Sequence, residues 1–205
     1  MTVKLFAHRF KTTKRVARFA AVLFLVACSS PAAGPPAGLA AYACHAGVPH
    51  FLLAFDPHPA RRAWATLGGG AQGNETPVQT ALREFREESN CAYAEEELNT
   101  LVVAGPSVSP GVPFHLYAAE VAYKSPEDIA SPRACVDIER SQWVWVKQDD
   151  LMQAIATQTD TVPVAVGTPA TITLWSRGRE SLQKALDDGT LPAYPNTTLC
   201  MDKAR

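Results

Sequence analysis

The chain has 205 residues, 47% of them hydrophobic, with 19 Lys and Arg against 20 Asp and Glu. That is enough apolar material for one domain with a real core and too much for a disordered chain. The near-neutral balance offers no basic patch for nucleic acid, no apolar run has the length of an ordinary membrane span, and no internal repeat is visible.

Residues 1–18 carry Lys4, Arg9, Lys11, Lys14, Arg15 and Arg18 and no acid. The apolar run Phe19–Ala27 that follows is too short to span a bilayer and matches the core of a secretory signal. It closes on Leu25-Val26-Ala27-Cys28, which resembles a bacterial lipobox, where the Cys becomes the lipidated first residue of the mature chain. That resemblance implies a lipoprotein-type signal peptide over 1–27, lipid attachment at Cys28, and a chain exported and lipid-anchored to the bacterial cell envelope. Ser29, not being Asp, favours the periplasmic side of the outer membrane. Two acyl chains bury enough methylenes to hold such an anchor. An ordinary signal peptide is the alternative reading. Residues 28–40, "CSSPAAGPPAGLA", then form a Pro/Ala/Gly-rich tether, and the folded domain is expected over 41–205. Cys44, Cys91, Cys135 and Cys200 remain. In an exported chain an even number invites disulfides, with three pairings open; four small buried hydrophobes are the alternative.

Along the domain, "HFLLAF" (50–55) reads as a strand ending at Asp56-Pro57, and "WATL" (64–67) as a short strand running into Gly68-Gly69-Gly70. A helix starts at Thr76-Pro77-Val78-Gln79, a capping box with Pro at its first position, and ends at Asn90. "LVVA" (101–104) reads as a strand, "GPSVSPGVP" as a loop, "FHLYAAEVAY" (114–123) as a longer strand and "KSPEDIASPRACVD" as a loop. "QWVWV" (142–146) alternates like a strand, and Asp149-Asp150 cap a short helix, "LMQAIA". A final helix is expected over "TPATITLWSRGRESLQKALDDG", capped by Thr168 with Pro169 in its first turn. Strands and helices mix without a regular βαβ alternation, which argues for an α+β fold with a mixed sheet.

The first helix carries the chemistry. Val78, Ala81, Leu82 and Phe85 make one apolar stripe at i, i+3, i+4 and i+7. Glu84, Glu87 and Glu88 share another face, in the last two turns, where the helix dipole does not favour them. A solvated acidic face would explain the helix alone. The preceding glycine turn shifts the balance, because it can bring backbone oxygens to the same place. Clustered carboxylates plus carbonyls describe a hard-cation site, Mg2+ or Mn2+.

Gly69, five residues, Glu75, seven residues, Arg83-Glu84-Phe85, one residue, Glu87-Glu88, one residue, Asn90-Cys91: this resembles the Nudix box GX5EX7REUXEEXGU without a slip in spacing. The departures, Phe85, Asn90 and Cys91, remove no ligand. The resemblance extends over residues 42 to about 156. It implies an α/β/α sandwich with a mixed sheet and a loop-helix-loop metal site. The implied activity is Mg2+-dependent hydrolysis of a nucleoside diphosphate linked to another moiety, with a small-molecule nucleotide derivative as partner. Glu84, Glu87, Glu88 and the carbonyl of Gly68 are the implied metal ligands. Glu75, Arg83, Glu84, Glu87 and Glu88 are the implied catalytic set, with Arg83 orienting Glu75 by a charge-assisted bond. Glu120 or Glu139 could supply a base from outside the box, although plain surface acids are the better reading of both. Pro106, fifteen residues past Cys91, stands where family members that cleave ADP-ribose carry a proline; in a proline-rich loop this is a weak pointer. Trp64, Trp143, Trp145 and Phe114 could stack on a base, but on strands they read better as core, and Arg61 and Arg62 could meet phosphate or stay solvated. Ser181-x-x-Lys184 lacks its companion motifs, the histidines lack zinc spacing, and the glycine cluster lacks a Walker ending. A nucleotide-binding module of the same fold without catalysis is the alternative function.

Overall fold

The computed structural model describes residues 34–111, 113–131, 133, 135, 139–192 and 200. The signal segment, Cys28 and the tether up to residue 33 lie outside the described residues. Among the described residues no helix is long and apolar enough to cross a membrane.

Among the described residues nine strands and five helices follow one another: β1 (Ala37–His45), β2 (Val48–Asp56), β3 (Ala63–Ala65), β4 (Leu67–Gly69), α1 (Pro77–Glu88), α2 (Glu95–Leu98), β5 (Ala104–Val108), β6 (His115–Glu120), α3 (Pro126–Ala130), β7 (Trp143–Lys147), α4 (Gln148–Ala156), β8 (Thr161–Pro163), β9 (Thr171–Thr173) and α5 (Ser176–Asp187). Seven strands make one mixed sheet in the order β3-β2-β1-β6-β5, with β4 on β1 and β7 on β2. The β1–β6 pair is parallel and the other pairs are antiparallel. A side-chain period of two sorts each central strand between two cores. Leu39, Ala41, Leu52, Tyr117, Trp143 and Trp145 meet Ala81 and Phe85 of α1 on one face. Ala40, Phe51, Leu53, Leu116, Val144 and Val146 meet Leu151 and Ile155 of α4 and Leu182 of α5 on the other. The result is the expected α/β/α sandwich, and it explains why "FLLA" reads as a continuous apolar run: both of its faces are covered.

The structure corrects four expectations. First, the fold begins before Ala41: Ala37 to Leu39 pair with Gly69 to Leu67. A Gly/Ala stretch with the composition of a tether is a central strand because small residues let β1 and β4 close up; a Cβ on Gly68 would lie 2.5 Å from the Gly38 Cα. Second, the edge strand is 104–108, not 101–104. Val102 is 91% exposed, and Pro106, which has no N–H, is tolerated at a sheet edge. Third, "SPED" is not loop: Ser125 and Asp128 form a capping box with Pro126 at the helix start, the same grammar as Thr76 to Gln79. Fourth, Thr168 caps no helix. Thr171–Thr173 pairs with Thr161–Pro163, with Ile172 buried between two exposed threonines, and α5 starts only at Ser176. The four cysteines form Cys44–Cys200 and Cys91–Cys135 disulfides, both with Cα–Cα 5.5 Å.

Candidate active site

The capping box at Thr76 sets the start of α1: its side chain accepts from the Gln79 N–H, while the Gln79 side chain accepts from the Thr76 N–H at 2.9 Å. The helix stops at Ser89, and Asn90 and Cys91 follow with φ of 55° and 51°, a left-handed exit that Asn tolerates. Asn90 also does what a glycine there could not. Its amide donates to the Ile129 carbonyl at 3.0 Å and the Ser131 carbonyl at 2.9 Å, tying the end of α1 to α3. The apolar stripe packs as expected: Ala81 and Phe85 are fully buried, with Val78 and Leu82 against them. This docking fixes where the acidic face points.

That face converges on Arg83. Its Nε donates to Glu75 Oε1 at 2.7 Å, Nη1 to Glu87 Oε2 at 2.7 Å, and Nη2 to Glu84 Oε1 at 3.0 Å and to the Gly70 carbonyl at 2.7 Å. One guanidinium thus gathers three carboxylates and a backbone oxygen of the glycine turn. Hydrogen bonding from Arg83 holds the Glu75 carboxyl below its ordinary range. Burial pushes the Glu84 carboxyl up against the pull of Arg83, and Glu87 and Glu139 add to the rise. Glu139 is therefore close enough to the box to matter electrostatically. Glu120 pairs with Tyr42 across the β1–β6 ladder, four residues along β1 from Gly38, and lines a cavity of about 590 Å3 with Thr190 and Leu191.

Glu88 stands apart from the other two helix glutamates. It is 1% exposed. Its Oε2 accepts the Gly68 N–H at 2.7 Å and its Oε1 ion-pairs with Arg140. Burial pushes its carboxyl up to about 7, with Arg140 and the Gly68 N–H opposing. Arg140 reaches on to Asp56 at 3.0 Å. Neither Asp56 nor Arg140 is marked by the local sequence; the only trace is an arginine next to Glu139 just before β7. Among the aromatics, Trp64, Trp143 and Trp145 are core residues, and the Trp143 Nε1 donates to the Glu88 carbonyl at 2.7 Å. Phe114 packs partly buried against the core. Arg61 pairs with Asp56 and lies 5.6 Å over the Trp175 ring. With His58 and Arg177 these two line a second cavity of about 460 Å3.

Among the described residues no three His, Cys, Asp or Glu side chains stand in a ready-made metal arrangement, since Arg83 lies among the carboxylates. The donor set nonetheless fits a hard divalent cation. Glu75, Glu84 and Glu87 are already within reach of one cationic centre, and Gly69 leaves room beside Glu84 that a side chain would take: a Cβ there would lie 2.5 Å from Glu84 Oε2.

A family model described as NUDIX domain matches residues 40–164. The chain belongs to the Nudix family. Similar solved structures include a Nudix hydrolase from M. smegmatis, RenU, at 20% identity and TM-score 0.48, covering 78% of this chain and 89% of that one. A C. elegans Ap4A hydrolase binary complex matches at 22% and TM-score 0.43, covering 58% and 83%. The NUDIX domain of Shewanella oneidensis NrtR complexed with ADP ribose matches at 15% and 0.43, covering 76% and 87%. Likeness at this level says nothing of substrate. No curated protein sequence matches the chain.

Proposed function

We propose that the domain is a Mg2+- or Mn2+-dependent pyrophosphohydrolase that cleaves a nucleoside diphosphate linked to another moiety, ADP-ribose-like molecules among the candidates. The observation that carries the reading is the convergence of Glu75, Glu84 and Glu87 on Arg83 beside the glycine turn. One guanidinium does not neutralise three carboxylates, and the remaining negative charge favours a divalent cation. Glu84, Glu87, Glu88 and the Gly68 carbonyl would hold the ion. Bound there, it would neutralise pyrophosphate charge and lower the pKa of an attacking water. Arg83 keeps Glu75 ionised and oriented. One of the helix carboxylates would double as the base. Glu88 retains acceptor capacity, since an ionised carboxylate offers about four lone-pair sites and two are in use.

Export with a lipid anchor on Cys28 is part of the same proposal. Two disulfides support an oxidising compartment. In the envelope the enzyme would meet scavenged or external nucleotides rather than the cytoplasmic pool. The deciding experiment is phosphate or nucleotide release from a panel of nucleoside diphosphate derivatives, with Mg2+, Mn2+ and chelator. Metal-dependent cleavage of at least one compound is expected. Binding of a nucleotide without cleavage in any metal would replace the enzyme with a nucleotide-sensing module.

A further inference from the structure

Two buried carboxylates flank one buried guanidinium. Asp56 closes β2, Glu88 closes α1 and Arg140 lies between them just before β7; all three are less than a tenth exposed. Arg140 Nη1 is 3.0 Å from Asp56 Oδ2, and Nη2 pairs with Glu88 Oε1. On its outer side Asp56 takes Arg61 and accepts the His58 N–H at 2.8 Å. A buried ion pair rarely stabilises a fold more than apolar side chains of the same volume would, so three interior charges call for another reason.

Their position supplies it. The two arginines at the box divide its acids. Arg83, from the solvent side, gathers Glu75, Glu84 and Glu87. Arg140, from the buried side, takes Glu88 alone, and it does so with the half of its fork that Asp56 does not hold. Glu88 is thereby fixed at both oxygens, by Arg140 and by the N–H of Gly68. Partners of this kind orient a ligand before the metal arrives, and removing one usually costs about 10–100-fold in metal affinity.

We propose that Arg140, anchored by Asp56, is a positioning residue that orients Glu88 toward the divalent cation and so sets the affinity of the site for it. The proposal rests on the box being a metal centre, but not on which nucleotide is cleaved. Lysine should not replace Arg140, because an ammonium is one compact charge and not a planar fork that spans two carboxylates.

The test is Mn2+ binding by titration calorimetry on the purified protein, with melting temperature measured in chelator on the same preparations. Arg140→Lys should weaken Mn2+ binding on the order of 10–100-fold. Asp56→Asn, which leaves both Arg140 and Glu88 in place, should weaken it in the same direction. Arg140→Lys added to Glu88→Gln should bind no more weakly than Glu88→Gln alone, because the arginine acts through that carboxylate. A purely structural Arg140 would lower the melting temperature and leave the Mn2+ affinity of the folded protein at the wild-type value; that result in Arg140→Lys overturns the proposal. So does an equal loss in the wild-type and Glu88→Gln backgrounds. Should Arg140→Lys not fold, Asp56→Asn takes its place in the same cycle, with wild-type affinity again the overturning result. Absence of nucleotide cleavage together with a non-additive cycle would reject the enzymatic reading and keep this one; cleavage with an additive cycle would do the reverse.

Discussion

Glu87 and Glu88 are neighbours in the chain and live in different surroundings. The Glu87 side chain is 23% exposed and pairs with Arg83 one turn back, so Glu87→Gln removes a charge proposed to hold the ion at little cost to packing. Its turnover should fall on the order of 10²-fold or more, with a melting temperature close to wild type. A Gln variant as fast as wild type would reduce the acidic face to solvated surface. Glu88 is a different case, because burial raises its carboxyl from the ordinary 4.5 to about 7. A raised folded-state value means that the folded protein holds this proton more tightly than the unfolded chain does. The stabilising contribution is then complete below about pH 4.5 and is lost as pH climbs through about 7. With chelator present, the melting-temperature difference between Glu88→Gln and wild type should therefore move in favour of the Gln variant across that window. The movement should be on the order of 5–10 °C, given a few kcal/mol and roughly 2–4 °C per kcal/mol for a chain of this size. A difference that stays flat with pH would mean that Glu88 keeps its ordinary value.

At the scale of elements, α1 is held by its stripe and by the close approach beneath it. Phe85 is fully buried, and its ring centroid lies 5.0 Å from that of Tyr93. Phe85→Ala should cost about 3–5 kcal/mol through the cavity it leaves. Gly68→Ala should be destabilising too, by about 1–3 kcal/mol from overpacking, because its Cβ would fall 2.7 Å from the Ala37 carbonyl oxygen. The obstacle is backbone, which cannot swing aside as a side chain can. Denaturant midpoints measure both, and a neutral Gly68→Ala would show that β1 and β4 are not so closely paired. The glycine turn thus has two jobs, the strand approach at Gly68 and the room beside Glu84 at Gly69. Both concern the site, since the Gly68 N–H also donates to Glu88 Oε2 at 2.7 Å.

Across the whole molecule, the disulfides close long loops. Cys44–Cys200 spans 156 residues and Cys91–Cys135 spans 44. Replacing the first pair with serines should cost about 2–5 kcal/mol, mostly by freeing the unfolded chain. If the protein is exported, denatured unreduced material from its native compartment should titrate with fewer than four free thiols, and Cys28→Ser should stop incorporation of labelled fatty acid. Four reactive thiols, or equal labelling of the variant, would count against export.

What the sequence alone determined is what lies within one or two turns of chain. The capping box, the apolar stripe and the box carboxylates are spacings of three, four and seven residues, and a helix converts such spacings into faces whatever surrounds it. The strands around "FLLAF" and "WVWV" were legible for the same reason. The tertiary structure decided the rest. Residues 37–40 have the composition of a tether, and open a strand only because β4 and β6 pair with them and two layers bury them. "TIT" looks like part of a helix until Thr161–Pro163 arrives to pair with it. The pairing of four cysteines, the bonds of Asn90 to the end of α3, and the Asp56–Arg140–Glu88 chain join residues 39 to 156 positions apart. Local periodicity is blind to contacts at that separation, since they exist only after the sheet has formed. The separation of Glu88 from Glu84 and Glu87 belongs with them: the helix places all three on one side, but only the packing of α1 on the sheet leaves Glu87 near solvent and buries Glu88 against Arg140.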